Sequence, residues 1–273
     1  LVRTLSFPPH RAVERASRRS VACLVEAGCR PALTMTHLQR GALREMTRLQ
    51  PLALAFLASV LAAYIAAAYY LHAPLGVPGP DIDQAWWAAR ELLHGHDPYA
   101  VDQAHRLYNT RIYYPLTAPL AVLPLAPLPL DLARLIFVLG GAALFGYVIG
   151  RDRPYLWPTL FGMPFFLAMR SAQWAPFLTV AMLLPSMGWL AAVKPNLGIV
   201  MLAGARSKRA ALLLVAGSLA LVLVSLAVQP HWPWEWRDAL ATSTHFKPLL
   251  LRPGGFVVLL ALFCWRDPDA RML

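Results

Sequence analysis

The sequence predicts an all-α fold, a polytopic transmembrane helical bundle of about six to eight membrane segments with a large first external loop. Of its 273 residues 58% are hydrophobic and only 14% are charged, whereas soluble domains carry about 25% charged residues. Apolar runs of about 20 residues, the length that crosses a bilayer, recur along the chain. A soluble globule could not cover so much apolar surface, so we predict a multi-pass protein integral to the cytoplasmic (plasma) membrane, with membrane lipids as partners.

The net charge of +11 is concentrated at the ends of the apolar runs. Cytoplasmic loops of membrane proteins are rich in Lys and Arg, so this placement predicts a cytoplasmic N-terminus. No basic folded module is visible, and we expect no nucleic-acid partner. Nine arginines precede the first apolar run: Arg3, Arg11, Arg15, Arg18, Arg19, Arg30, Arg40, Arg44 and Arg48.

Residues 1–45 differ from the rest because they are Arg-rich and lack helical periodicity. They are interpreted as a disordered leader or a mis-assigned start, since Met35 and Met46 are both plausible starts. A transit peptide is a further alternative. We expect a transmembrane domain over 46–273, with further spans missing at its C-terminus.

The first span is predicted over 51–72, and the external loop follows over 73–113, where acidic residues outnumber basic ones. Within this loop, residues 82–94 predict an interfacial helix with one apolar face: Ala85, Trp86, Ala89, Leu92 and Leu93. Gly95 is expected to end this helix, and Asp97-Pro98-Tyr99 to form a turn.

The remaining apolar runs predict further spans separated by prolines and basic clusters. Clear spans are expected over 132–150, 210–228 and 249–265, a kinked span over 155–169, and an interrupted segment over 176–205. Residues 230–248 are expected to form a Trp-rich loop. Whether the proline-rich segment 115–130 crosses the membrane is open. Every basic cluster lies on the cytoplasmic side only if this segment dips into the outer leaflet without crossing.

Four motifs resemble family 87 glycosyltransferases, C-type enzymes that use polyprenyl-phosphate sugars and include mannosyltransferases. Residues 81–99 resemble the family's first external loop, an Asp followed by an aromatic-Ala-Ala helix and Leu-Leu-x-Gly-x-x-Pro-Tyr. Residues 113–116 resemble its Tyr-Pro-Pro-Leu element, with Leu116 in place of a proline. Residues 170–173 resemble its Gly-Gln element, with Ala172 in place of glycine, and residues 192–195 its Ile-Lys-Pro element. The motifs follow the family's order.

The resemblance implies transfer of a mannose-like sugar, with inversion, from a polyprenyl-phosphate donor to a lipid or glycan acceptor at the outer membrane face. Asp81 aligns with the family's loop carboxylate and is expected to act as general base, with Asp83 as the alternative. A carboxylate within reach of a hydroxyl can accept its proton. Asp81 also follows Pro80 and precedes a helix, so an N-cap role is open.

The donor phosphate and sugar are expected to bind at Arg170, Gln173, Lys194 and Tyr114. Arg170 and Lys194 interrupt apolar runs, where a cation faces a cavity or a partner or snorkels to the interface. For Gln173, sugar binding and helix capping are both open. For three tryptophans, membrane anchoring and stacking on sugar or polyprenyl are both open: Trp232, Trp234 and Trp236. His94 and His96 have no third ligand at metal-site spacing, so we expect no metal and no cofactor.

Two other functions compete with the transferase. A polytopic transporter is the first, although internal repeats are not visible and the acidic residues cluster in one loop. An inactive fragment of the transferase is the second.

Overall fold

A computed structural model of the protein describes residues 37–70, 80–100, 112–205 and 207–241. Throughout these residues the secondary structure is helical, without strands. Among them, three helical stretches are long and apolar enough to cross a membrane: Leu49–Tyr69, Leu130–Asp152 and Lys208–Val228. The all-α class and the membrane-protein assignment are thus supported, whereas the number of six to eight segments stays a prediction. The chain divides into two compact units, Leu1–Met46 and Thr47–Leu273, and the second contains every contact described below.

Two helices and a pair of short segments precede the second long span. Helix α1 begins at His37, inside the segment predicted as a leader, and residues 1–36 lie outside the described part of the chain. The bounds are α1 His37–Tyr70, α2 Asp81–Leu93, α3 Thr117–Val122 with a 3₁₀ turn over Leu123–Leu125, and α4 Leu130–Asp152.

The section between α4 and the third long helix is built from short helical pieces, each with a proline in its first turn. The predicted single kinked span over 155–169 is wrong, because it is two helices separated by Gly162 in extended conformation. Proline removes a backbone donor and disfavours helical backbone before it, so every piece begins at or next to a proline, while Pro158 lies inside the first piece. The pieces are a 3₁₀ helix Pro154–Phe161, α5 Met163–Arg170, α6 Ala175–Leu183, a 3₁₀ helix Pro185–Val193, and α7 Pro195–Ala203.

Helix α8, Lys208–Val228, is followed after a short turn by α9, Trp232–Ala241. The predicted Trp-rich loop over 230–248 is therefore wrong for its first half. Proline is tolerated in a first helical turn, as at Pro233, and the acidic Glu235 in that turn complements the helix dipole. The span predicted over 249–265 lies outside the described residues.

Helix α2 confirms the predicted helix in the external loop, and Gly95 after it has the left-handed backbone (φ 75°) of a helix-ending glycine. Its burial differs from the prediction. Leu93 is exposed, while Asp83, Trp87 and Ala88 are buried, because α2 packs against both α3 and α4. An apolar face in the sequence predicts that one side of a helix is buried. It does not show whether the protein also covers the other sides.

Helices α1 and α4 approach closely at Gly146, so a larger side chain at this position should lower the stability. A Cβ at Gly146 would lie 2.9 Å from the Cβ of Ala58 and closer still to the carbonyl oxygen of Leu54. We expect Gly146→Ala to lower the free energy of unfolding by about 1–3 kcal/mol, since overpacking forces the helices apart. Thermal unfolding in detergent measures the loss.

Gly140, in the same helix, is the matched control because a Cβ added there would have no neighbouring atom within 4 Å. Gly140→Ala should be neutral or stabilise by up to about 1 kcal/mol through helix propensity. Equal losses at both positions would show that close helix approach is not what selects glycine at 146.

Candidate active site

Asp81 and Lys194 form an ion pair across 113 residues of sequence, with 2.8 Å between Asp81 Oδ2 and Lys194 Nζ. Asp81 is the first residue of α2, and Lys194 directly precedes α7. Their side chains are 33% and 23% exposed, so a ligand can reach both. The residue that caps α2 is Pro80, without a side-chain cap, so the Asp81 carboxylate serves the ion pair rather than the cap.

Tyr114 completes a cluster with these two residues. Its ring centroid lies 5.4 Å from Lys194 Nζ, within cation–π range. Burial raises the pKa of Tyr114 far above its ordinary value, and the nearby charge of the Asp81 carboxylate raises it further. Tyr114 is thus a neutral phenol close to the carboxylate. We name Asp81, Lys194 and Tyr114 the carboxylate–lysine–tyrosine cluster.

The backbone that carries Tyr114 is held from two sides. The Tyr99 hydroxyl donates to the Tyr114 carbonyl oxygen at 2.8 Å, and Trp236 Nε1 donates to the Tyr113 carbonyl oxygen at 2.9 Å. The predicted turn at Asp97-Pro98-Tyr99 is confirmed, because the Asp97 carboxylate accepts from the Tyr99 backbone N–H at 2.9 Å. The turn after α2 and helix α9 therefore both fix the position of Tyr114.

The turn between α5 and α6 supports the start of α2. The Asp81 backbone N–H donates to the carbonyl oxygen of Ser171 at 2.8 Å. The next residue, Ala172, is buried with φ 40°, in the left-handed region that favours glycine. The motif that residues 170–173 resemble has glycine at this position, and this backbone conformation gives a physical reason for it.

The two remaining donor-site candidates flank this turn. Arg170 is exposed, and its guanidinium lies 4.6 Å from the ring centroid of Tyr69. Gln173 is half-buried, and its backbone N–H donates to the carbonyl oxygen of Ala168 at 2.9 Å. Both residues therefore lie close in sequence to Ser171, which contacts Asp81, but outside the carboxylate–lysine–tyrosine cluster.

Asp83, the alternative base, is fully buried in a different ion pair. Arg134 binds both of its carboxylate oxygens, with Nε at 2.8 Å and Nη2 at 2.5 Å. Arg134 also contacts the exposed Asp131 at 2.9 Å. The sequence did not single out Arg134, because it lies 51 residues from Asp83 inside an apolar span.

No protein-family model, curated protein or solved structure matches this chain. Within the described residues, His, Cys, Asp and Glu side chains form no group of three that could hold a metal ion. A functional assignment therefore depends on the geometry of the site and on the motif resemblance.

Of the three tryptophans considered for anchoring or stacking, only Trp234 is largely exposed. Trp232 is buried, and Trp236 is half-buried and hydrogen-bonded to the Tyr113 carbonyl. Through this hydrogen bond Trp236 stabilises the backbone next to Tyr114.

A second polar cluster joins the turn after α2 to the start of α9, and sequence reasoning missed it. Gln229 Nε2 donates to Asp97 Oδ1 at 2.7 Å and to Glu235 Oε2 at 2.6 Å. Asp97, Tyr99, Glu235 and Asp238 line a cavity of about 200 Å³. Since 132 residues separate Asp97 from Gln229, no local pattern could have predicted their contact.

The Glu235 carboxyl should make stability depend on pH. Burial raises its pKa, the Asp97 carboxylate raises it further, and the Gln229 hydrogen bond and His231 oppose the rise. A carboxyl with a raised folded-state pKa stabilises the protein when protonated, and this contribution is lost as pH rises through that pKa. We expect the thermal unfolding temperature to fall as the pH rises above about 4 and through the raised pKa of Glu235, and Glu235→Gln to flatten the fall.

Asp238→Asn, at an exposed carboxylate on the same helix, is the control and should leave the pH profile unchanged. Parallel profiles for wild type and Glu235→Gln would show that Glu235 titrates alike in the folded and unfolded chains.

Proposed function

We propose that the chain is a membrane glycosyltransferase that transfers a mannose-like sugar, with inversion, from a polyprenyl-phosphate donor to a lipid or glycan acceptor at the outer face of the membrane. The observation that carries the proposal is the convergence of Asp81, Lys194 and Tyr114 from three separate segments. The motif resemblance had singled out these three residues independently for one reaction. Random placement of motif-like residues gives no reason for them to meet.

The cluster holds the groups that the reaction needs. Asp81 accepts the proton of the acceptor hydroxyl while that oxygen forms a bond to the anomeric carbon. The bond from the anomeric carbon to the phosphate oxygen breaks, and its electron pair leaves with the polyprenyl phosphate. The ammonium of Lys194 stabilises the charge that develops on this leaving group. We assign Arg170 and Gln173 to further contacts with the donor phosphate and sugar.

Helix orientation favours an anion at the same place. Helices α2 and α7 both begin at the Asp81–Lys194 pair, so the N-terminal ends of both helix dipoles lie close to the cluster. Helix N-termini carry partial positive charge and bind phosphates. This arrangement supports phosphate binding next to Lys194.

An apolar groove provides a place for the donor's hydrocarbon chain. A cavity of about 340 Å³ starts at Pro115 and Pro195, which directly follow Tyr114 and Lys194, and runs along α8. Its lining is almost entirely apolar, as a polyprenyl chain requires. Its residues are Pro115, Thr117, Ala191, Ala192, Pro195, Gly198, Ile199, Leu202, Leu214, Val215, Ser218, Leu219, Val222 and Trp232.

A transporter is the second candidate, and the broken helices between α4 and α8 favour it. Transporters bind substrates where discontinuous helices expose backbone groups and charges, and Lys194 lies at such a break. The Asp81–Lys194 pair and the adjoining apolar groove are better explained by a lipid-linked donor.

The deciding experiment supplies polyprenyl-phosphate mannose, labelled in the sugar, to membranes that contain the full chain. We expect label to appear in a lipid or glycan acceptor and free polyprenyl phosphate to be released in equal amount. Absence of transfer, together with solute uptake into sealed proteoliposomes, would favour the transporter instead. Absence of both activities would contradict both functions and leave the inactive-fragment alternative.

A further inference from the structure

In the proposed reaction the Lys194 ammonium interacts with two anions, the Asp81 carboxylate and the donor phosphate. Without a donor, Nζ is 2.8 Å from Asp81 Oδ2 and lies over the ring of Tyr114. The proposed function requires the same ammonium at the leaving phosphate. Because Lys carries one compact charge on a flexible stem, its position can shift between two nearby anions.

We infer that the donor phosphate displaces Asp81 from Lys194, so that donor binding releases the base before the acceptor is deprotonated. This inference rests on the proposed function and adds an order of events to it. While Lys194 holds Asp81, proton transfer to the carboxylate would cost the ion pair. Transfer of the ammonium to phosphate removes that obstacle at the moment the donor is in place.

Tyr114 lies beside both charged groups and keeps them near their starting positions during the exchange. Its neutral side chain lies close to Asp81, so the carboxylate keeps a polar neighbour when the lysine leaves. Its ring face lies next to the ammonium and offers a cation–π contact along the way. Both ion-pair partners are partly exposed, so the incoming phosphate meets the pair without prior opening of the protein.

Competition for one lysine has a measurable consequence: removing Asp81's charge should strengthen phosphate binding. A partly exposed ion pair is worth a modest free energy, which corresponds to about two- to fivefold in affinity. We therefore expect Asp81→Asn, in the full chain reconstituted in nanodiscs, to bind polyprenyl phosphate about two- to fivefold more tightly than wild type. Asp81→Ser serves as a second variant in case the Asn protein accumulates poorly.

Two comparisons make the binding test specific. Asp131→Asn removes the same charge at an exposed site and should leave affinity unchanged. In a Lys194→Gln background, Asp81→Asn should give no gain. Equal affinities of wild type and both Asp81 variants would overturn the exchange, as would an equal gain from Asp131→Asn. Wild type that shows no saturable binding of polyprenyl phosphate would instead overturn the proposed function.

Discussion

Asp81→Asn should lower sugar transfer by about 10²–10⁴-fold, the usual cost of removing a general base. The substitution keeps the size of the side chain and an oxygen that can accept from Lys194, so the fold around the pair should persist. Only the capacity to take up the acceptor proton is lost. The measurement is the initial rate of labelled-sugar transfer from polyprenyl phosphate, in membranes with matched amounts of protein.

The control for this loss is Asp131→Asn, at a carboxylate that is 87% exposed and contacts Arg134. Exposed ion pairs contribute little, so transfer should stay within about twofold of wild type. Retention of most of the activity by Asp81→Asn would exclude Asp81 as the base. Equal losses in both variants would indicate a general effect of charge on donor binding.

Local sequence patterns predicted those parts of the fold that depend on local physics. Apolar runs of sufficient length identified the three long helices, and a glycine after an amphipathic run identified the end of α2. The helix at Trp232–Ala241 was missed because only one proline and one glutamate in its first turn indicate a helix start. The other aromatic residues and prolines around them made this signal hard to recognise.

The site was predictable only in part, since its contacts join distant segments. The motif resemblance named Asp81, Tyr114 and Lys194, but neither charge nor spacing indicated that Lys194 pairs with Asp81 across 113 residues. Asp97 and Glu235 were not recognised as neighbours for the same reason. Asp83 looked equivalent to Asp81 in the sequence, and only its burial against Arg134 distinguishes the two carboxylates.

The Asp83–Arg134 pair provides the second large prediction, on stability. Asp83 is fully buried and Arg134 is 14% exposed. Removing one partner of a buried pair leaves an uncompensated charge and typically costs about 3–5 kcal/mol. We expect Arg134→Met to lower the free energy of unfolding by about this amount, and Asp83→Leu to lower it by less, because Arg134 keeps its contact with Asp131. Thermal unfolding and accumulation in membranes measure the loss.

The double variant Asp83→Leu with Arg134→Met separates a structural role from a catalytic one. Replacing both partners of a buried ion pair by apolar residues is often neutral or stabilising, so the double variant should regain most of the lost stability. Since Asp81 and Lys194 are untouched, it should also regain sugar transfer. A double variant that is stable but inactive would identify Asp83, rather than Asp81, as the carboxylate that accepts the proton. A double variant that is as unstable as the single ones would show that Asp83 and Arg134 stabilise the fold through other neighbours.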